Sequence, residues 1–513
     1  MSQLEMREPE FTMKLANLAI LLRRSTKFGL VMIATLMVTA SYAQAPKVGE
    51  APSKMADPRL LTKAEQTQFQ ETSKHAECVE FCQQLAMRSE YIDFKLFGYS
   101  AQQRELPLLV LSKQKFFYAT QLESNDAPIV FIQNAIHPGE CAGKDASLML
   151  LRDIALNGKH AEVLENVILV VAPILNADGH ERFGPFSRIN QNGPKEMGWR
   201  TTARNLNLNR DFMKLDAIET RSLIHSLNSW SPDFFIDTHT TDGGDWQYDV
   251  GYSFASMAMM EEPVRQWLTD EWIDKVPAAL VEAGHVPVEY FNLLDSRAPN
   301  KGMADHVFTP RYATGYVTLL NRPSLLIETH MLKPYKQRVM AQYNMILQSL
   351  KTIAKNPAAL KKAVREADAL TSAWAKSSAE AASMAKGRLP IRFKHREQAE
   401  PVTFKGFEHT VSESRISGSK RIRYNAAKKM EMEIGRFRAE AVVDSVEPPF
   451  AYVVPPEWTE LVELLRAHGI KAERLQGPAT VAGDVFTLTE PEFAPRPYEG
   501  RFRVKFKTSV KQQ

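Results

Sequence analysis

Hydrophobic residues along this chain follow two alternating rhythms. Continuous apolar runs stand at 128–134 (PIVFIQN), 167–175 (VILVVAPIL), 233–239 (DFFIDTH) and 324–329 (SLLIET), each short and bounded by turn residues. Runs of this kind predict strands buried on both faces. Between them, apolar positions recur three and four apart, at Leu148, Leu151 and Ile154 within 143–156, and again over 217–230. That spacing predicts helices with one apolar side. Residues 65–87 read as another helix, and 92–112 as two short strands around a turn. The alternation predicts an α/β fold: a mixed, mostly parallel central sheet with helices on both faces.

The rhythm changes near Asn356. Residues 356–386 are rich in Ala, Lys and Glu and read as a helical linker. Beyond Gly387 come short β-type runs (RLPIRFK, VTFKGFEHTV, AVVDSV, YVVP), one helix over 456–468 and a terminal alternating strand, RFRVKFKTSV. These predict a smaller β-rich accessory domain over 387–513. At the other end, Arg23, Arg24 and Lys27 precede an apolar run from Phe28 to about Ala40, followed by Ser41-Tyr42-Ala43. Basic, apolar and small residues in that order predict a secretory signal, residues 1–43. The run is shorter than the roughly 20 residues of a spanning helix. The expectation is therefore an exported protein, periplasmic or extracellular, with no stable membrane span after cleavage. Residues 44–58 form a linker, and 59–355 the α/β domain.

Charge and cysteine content narrow the options. A net charge of +4 from 64 basic and 60 acidic residues is too balanced to argue for a nucleic-acid partner. Three cysteines, Cys78, Cys82 and Cys141, make no disulfide scaffold. Cys78 and Cys82 lie four apart in a predicted helix, where they could bridge or remain ordinary thiols.

The candidate chemistry sits at strand ends. His137-Pro138-Gly139-Glu140 follows the predicted strand 128–134, and His239 closes the strand 233–239. In open α/β sheets, ligands bind at the carboxyl ends of the strands. A tight Pro-Gly turn can aim a histidine and a carboxylate three apart at one point. With His239 added, two imidazoles and one carboxylate make a hydrolytic zinc set that leaves a position open. Glu328 ends another apolar strand, where a carboxylate can serve as a general base. Asp237, two residues before His239, shares its strand face.

Taken in order, these segments resemble the M14-type zinc carboxypeptidases. The likeness runs from about Gly98 to Tyr335 through FGYSAQQRELPLLVLS, AIHPGE, NADGHERF, Trp199-Arg200, NLNLNRDF, IDTH and LLIETH. It implies one Zn²⁺ per chain, held by His137, Glu140 and His239. It also implies hydrolysis of the C-terminal residue of a peptide by a zinc-activated water, with Glu328 as general base. By the same carry-over Arg200 meets the scissile carbonyl, and Asn209 and Arg210 the terminal carboxylate. Guanidinium suits both tasks. Tyr312 is the preferred match to the family's substrate-capping tyrosine, with Tyr316 the other choice. The family's Asp partner of a metal-binding histidine is replaced here by Asn207, which can accept the same hydrogen bond without the charge.

Two other readings use the same residues. A related zinc amidohydrolase would act on peptidoglycan stem peptides or N-acyl amino acids. A non-catalytic binding protein on this fold would be expected to lack a ligand or the glutamate, and all four are present. Expected substrates are thus peptides or peptidoglycan-derived.

Overall fold

The computed structural model describes residues 60–374, 389–446, 449 and 451–512. The signal and linker predicted for 1–58, and the last part of the helical linker, lie outside them. No helix among the described residues is long and apolar enough to cross a membrane.

The apolar runs become the middle of an eight-stranded sheet. Its strands are β1 (Ile92–Tyr99), β2 (Glu105–Leu111), β3 (Ile129–Gln133), β4 (Ile168–Ala172), β5 (Phe234–Thr240), β6 (Val250–Ser253), β7 (Pro287–Glu289) and, after two short strands, β10 (Ser324–Thr329). The order is β1-β2-β4-β3-β5-β10-β6-β7. The central pairs β4–β3, β3–β5 and β5–β10 are parallel; β1–β2, β2–β4 and β10–β6 are antiparallel. The sheet is mixed and parallel at its centre, because the crossovers there are long enough to return each strand in the same direction.

Both faces are buried, which explains why the central strands are apolar at every position. Val130, Ile132, Ile236, Leu325 and Ile327 face one core. That side is covered by α1 (His75–Arg88), α2 (Ala142–Ala155) and a helix near the C-terminal end of the region. Phe131, Val170 and Phe235 face the other, under α3 (Ile218–Trp230) and α4 (Ala313–Thr318). The first face is closed by α5 (Tyr335–Lys355) and α6 (Pro357–Trp374). Helix α6 sets Leu360, Ala363, Val364 and Ala367 into the core, so this alanine-rich stretch packs as an integral helix.

Two departures have local causes. The single helix expected over 65–87 is two, Lys63–Gln66 and α1. Gln68 and Phe69 take left-handed backbone, and the segment then turns polar. There Thr72 donates to buried Asp145, and Ser73 accepts from buried Lys144. Those contacts hold the chain out of helix. Residues 452–455 (YVVP) form no strand; consecutive prolines at 455–456 remove ladder donors.

The β-rich segment is joined to the α/β region by strand pairing. Short strands β8 (Asn292–Leu293) and β9 (Met303–Ala304) continue into β12 (Glu400–Glu413) and β13 (Lys420–Phe437), in the order β12-β13-β9-β8. β11 (Leu389–Lys394) pairs with β14 (Ala441–Val446). Helix α7 (Thr459–Ala467) lies against α3, where Asn228 donates to Ala467 O. A two-stranded ribbon of β15 (Asp484–Phe493) and β16 (Val504–Gln512) ends the chain.

Candidate metal centre

Parallel pairing places the site. Register aligns Glu328 of β10 with His239 of β5, and Leu326 with Asp237. Side chains at paired positions share a face, so Asp237, His239 and Glu328 project together at the carboxyl end of the sheet. His137 and Glu140 come from the loop between β3 and α2. Gly139 leaves room there: a Cβ would lie 2.8 Å from Arg188 Cδ and 3.0 Å from Gly198 O.

His137, Glu140 and His239 converge, all buried, with one ligand atom from each within 4.8 Å of the others. The imidazoles present the same edge inward. His239 Nδ1 lies 2.9 Å from Glu140 Oε2, and His137 Nδ1 lies 3.2 Å from Glu140 Oε1. The opposite nitrogens are held from behind. His137 Nε2 meets Asn207 Oδ1 at 3.0 Å, and His239 Nε2 meets Asp237 Oδ2 at 2.9 Å. Gln133 donates to the other oxygen of Asp237 at 2.8 Å, fixing the carboxylate. Partners of this kind set ring orientation and tautomer in metal sites.

The donor set fits a divalent cation. His137 Nδ1 is buried and, apart from its contact with Glu140 Oε1, makes no aligned hydrogen bond, a costly state for a polar atom unless something completes it. Burial holds the His137 imidazole below its ordinary pKa, with Glu140 working against the shift. That direction favours the neutral imidazole, the form that ligates a metal. Burial also disfavours a charged Glu140, but Arg188, then His137 and His239, hold its carboxyl well below the usual range. His239 is pushed well above 6.5: burial opposes this, and Asp237 and Glu140 outweigh it.

Glu328 completes the arrangement. Its Oε2 is shielded from solvent and has no hydrogen-bond partner. Burial pushes its carboxyl up to about 8; His239 opposes the shift and Glu140 adds to it. A carboxyl held near neutrality in a cleft is suited to taking and returning a proton.

The remaining predicted residues divide. Arg200 Nη1 reaches Glu140 Oε1 at 3.2 Å while its side chain stays 39% exposed, so it stands at the rim. Arg210 spreads its guanidinium over the Tyr312 ring, 4.3 Å from the centroid. Tyr316 is instead buried against Phe212 and bonded to His468 Nδ1 at 2.8 Å. Asn209 has other commitments than a substrate carboxylate. Its Oδ1 accepts from Ala313 N at 2.9 Å, and its Nδ2 lies 3.3 Å from His239 Nε2. It ties α4 to the cluster, and Arg210 beside it donates from Nη1 to Asn209 O at 2.7 Å. His180 and His330 are interior side chains, at 0% and 2% exposure.

Arg188 is a site residue that sequence reasoning missed. Its Nη1 donates to Glu140 Oε1 at 2.6 Å, and its Nη2 to Thr240 O at 2.9 Å and Thr241 O at 2.7 Å. It lies in an irregular loop with no periodicity, so no spacing pointed to it. Tyr290 was missed as well. It is a partly buried member of an apolar group with Ala255, Phe308, Leu326, Met259 and Tyr312.

Residues 78–243 match the family model for the zinc carboxypeptidases, Peptidase_M14. The matched stretch, about a third of the chain, is similar to the zinc carboxypeptidases. Carboxypeptidase 2 of Trichophyton rubrum is 27% identical over 197 residues, covering 36% of this chain and 34% of its own. Carboxypeptidase 2 of Trichophyton equinum is 26% identical over the same length. The chain spans about a third of the length of the curated relatives it matches. Among solved structures, a metallo-carboxypeptidase from Burkholderia cenocepacia aligns at 16% identity and TM-score 0.40, covering 55% of this chain and 69% of that one. Carboxypeptidase A from Helicoverpa armigera aligns at 15% identity and TM-score 0.41, covering 56% and 74%. The zinc carboxypeptidase match contains His137, Glu140, Arg188, Arg200, Asn209, Arg210 and His239, and ends before Glu328.

Proposed function

We propose that this protein is a zinc-dependent metallocarboxypeptidase that removes the C-terminal residue of peptides. One observation carries the reading: His137, Glu140 and His239 converge within 4.8 Å, and an unpartnered carboxylate oxygen of Glu328 stands on the next strand at the register of His239. A zinc ion held by those three side chains supplies a Lewis acid and makes water a nucleophile near neutral pH.

The chain's own groups do the rest. Glu328 accepts the proton of the attacking water and delivers it to the leaving amine. Arg200, at the rim with its side chain 39% exposed, donates to the carbonyl oxygen as negative charge develops there. Arg210 pairs with the terminal carboxylate, which its planar fork matches. The Tyr312 ring beneath that guanidinium limits its freedom, so less entropy is lost on binding. Leu326, two residues before Glu328 on β10, packs with Ala255 and Phe308 against Tyr290, Met259 and Tyr312, an apolar group that supports a preference for an apolar terminal side chain.

Purified protein should carry one zinc per chain. Glu328→Gln should keep that zinc and lose about 10²–10⁴ in kcat. Peptides ending in Leu or Phe should outpace those ending in Lys or Asp. Amidating the terminus should abolish most cleavage; an amide turned over as fast as the acid would refute the exopeptidase reading.

A further inference from the structure

The ribbon at the end of the chain reaches the proposed carboxylate site. β15 and β16 are joined through a loop that folds back on itself as a tight turn, Tyr498-Glu499-Gly500-Arg501, closed by Tyr498 N to Arg501 O at 2.8 Å and Arg501 N to Tyr498 O at 3.1 Å. Glu499 and Gly500 have φ of 51° and 75°. Two central residues at positive φ mark the hairpin turn that Asn-Gly or Asp-Gly usually forms. Glutamate has no local hydrogen bond to compensate for left-handed backbone. Its presence at the tip calls for another explanation.

That explanation lies in what the tip touches. Glu499 Oε1 stands 3.8 Å from Arg210 Nε, and Tyr498 Oη stands 3.4 Å from the same nitrogen. Glu499 Oε1 also accepts from Asn207 Nδ2 at 3.2 Å. Asn207 therefore accepts from His137 on one side and donates to Glu499 on the other, which an amide can do and a carboxylate cannot. The turn is steered by Arg501, which bonds to Asp216, and by Arg311 and Arg503, which flank the Tyr498 ring at 4.9 and 5.0 Å.

We propose that Glu499 is an internal occupant of the terminal-carboxylate site, a side-chain carboxylate that competes with the substrate's own for Arg210. The inference rests on the assignment of Arg210 in the proposed function. The occupant is built to leave. Every residue from 484 to 511 is exposed except Ala494, which is partly buried, so the ribbon is held to the body by polar contacts rather than by a core. Two-stranded ribbons without a packed face are marginal structures. Because the carboxylate is tethered, it competes at a high effective concentration and raises the substrate level needed for saturation.

The test measures binding of one peptide, as free acid and as amide, to the full chain. Glu499→Gln should tighten free-acid binding about two- to fivefold, the size of a lost exposed ion pair, and leave the amide unchanged. Asp216→Asn, which loosens the Arg501 anchor without touching Arg210, should act in the same direction. In the parent protein, free-acid peptide should speed hydrogen exchange of the amides at 498–503. Equal free-acid affinity in parent and both variants, with acid still preferred over amide, would overturn the competitor and leave the exopeptidase reading standing. Equal affinity for acid and amide in all three proteins would instead remove Arg210 as the carboxylate receptor, and the proposal with it.

Discussion

Side chains at this site carry two jobs at once, and Asn207 is the clearest case. It orients His137 and donates to Glu499. Asn207→Asp should place a negative charge behind the histidine, raise its basicity and tighten zinc by about tenfold, as competition with a chelator would read. The same change sets two carboxylates against each other and should release the turn. An unchanged zinc affinity would mean the partner's charge is irrelevant here. His330 makes a separate case. Buried against the Trp246 edge, with Nδ1 unpartnered, it is pushed down to about 3 by burial and then by Lys333. Between about 3 and the ordinary 6.5, the unfolded chain binds a proton there that the folded chain refuses. Stability therefore rises with pH across that window, by about 1.4 kcal/mol per unit for one such group. Denaturant midpoints should fall from pH 7 to pH 4, and His330→Gln should flatten part of that slope.

At the scale of elements, the close contact of α2 with β5 holds Glu140 beside His239. Gly143 makes it possible, since a Cβ there would lie 2.1 Å from Thr238 Oγ1 and 2.4 Å from Thr238 Cβ. Gly143→Ala improves helix propensity yet should cost about 1–3 kcal/mol by forcing the helix off the strand. It should also weaken zinc binding, because Glu140 lies just ahead of that helix. A thermal melt that rises instead would show that the helix can shift freely. The same elements explain what could be read from the sequence. β3, β4, β5 and β10 are buried on both faces, so their composition alone marks them, and the three candidate ligands and Glu328 lie at or just beyond the ends of β3, β5 and β10. Asp237 followed from strand alternation. What escaped lies in segments without a period. Arg188 sits in a loop, and β6 to β9 are too short to show alternation. β13, at 18 residues, is polar enough on both faces to hide its strand pattern. Glu499 shows only as an unusual Glu-Gly pair.

For the whole molecule, the question is what fastens the β-rich segment to the α/β region. The pairing of β13 with β9 spans two residues, Arg436 with Met303 and Phe437 with Ala304, too few to hold a hairpin of this length. Aromatic packing and buried charge do more. Phe404 of β12 is 0% exposed and meets Trp246, Tyr248 and Phe291, with ring centroids 6.0 to 6.3 Å apart. Arg436 reaches Asp305 at 2.6 Å and Glu289 at 3.0 Å, bridging β13 to the strand that edges the main sheet. Trp246 also packs against His330, two residues beyond Glu328, so the junction borders the site. Phe404→Ala should cost about 3–5 kcal/mol where it packs. If the hairpin is held chiefly by that ring, the loss falls on the junction: protease should cut within 389–437 before the α/β region unfolds, and kcat should drop with zinc still bound. A single cooperative transition with unchanged protease resistance would place the fastening in the Arg436 ion pairs instead. Arg436→Met should then separate the two, because it removes the charge bridge while leaving the Phe404 ring in its pocket.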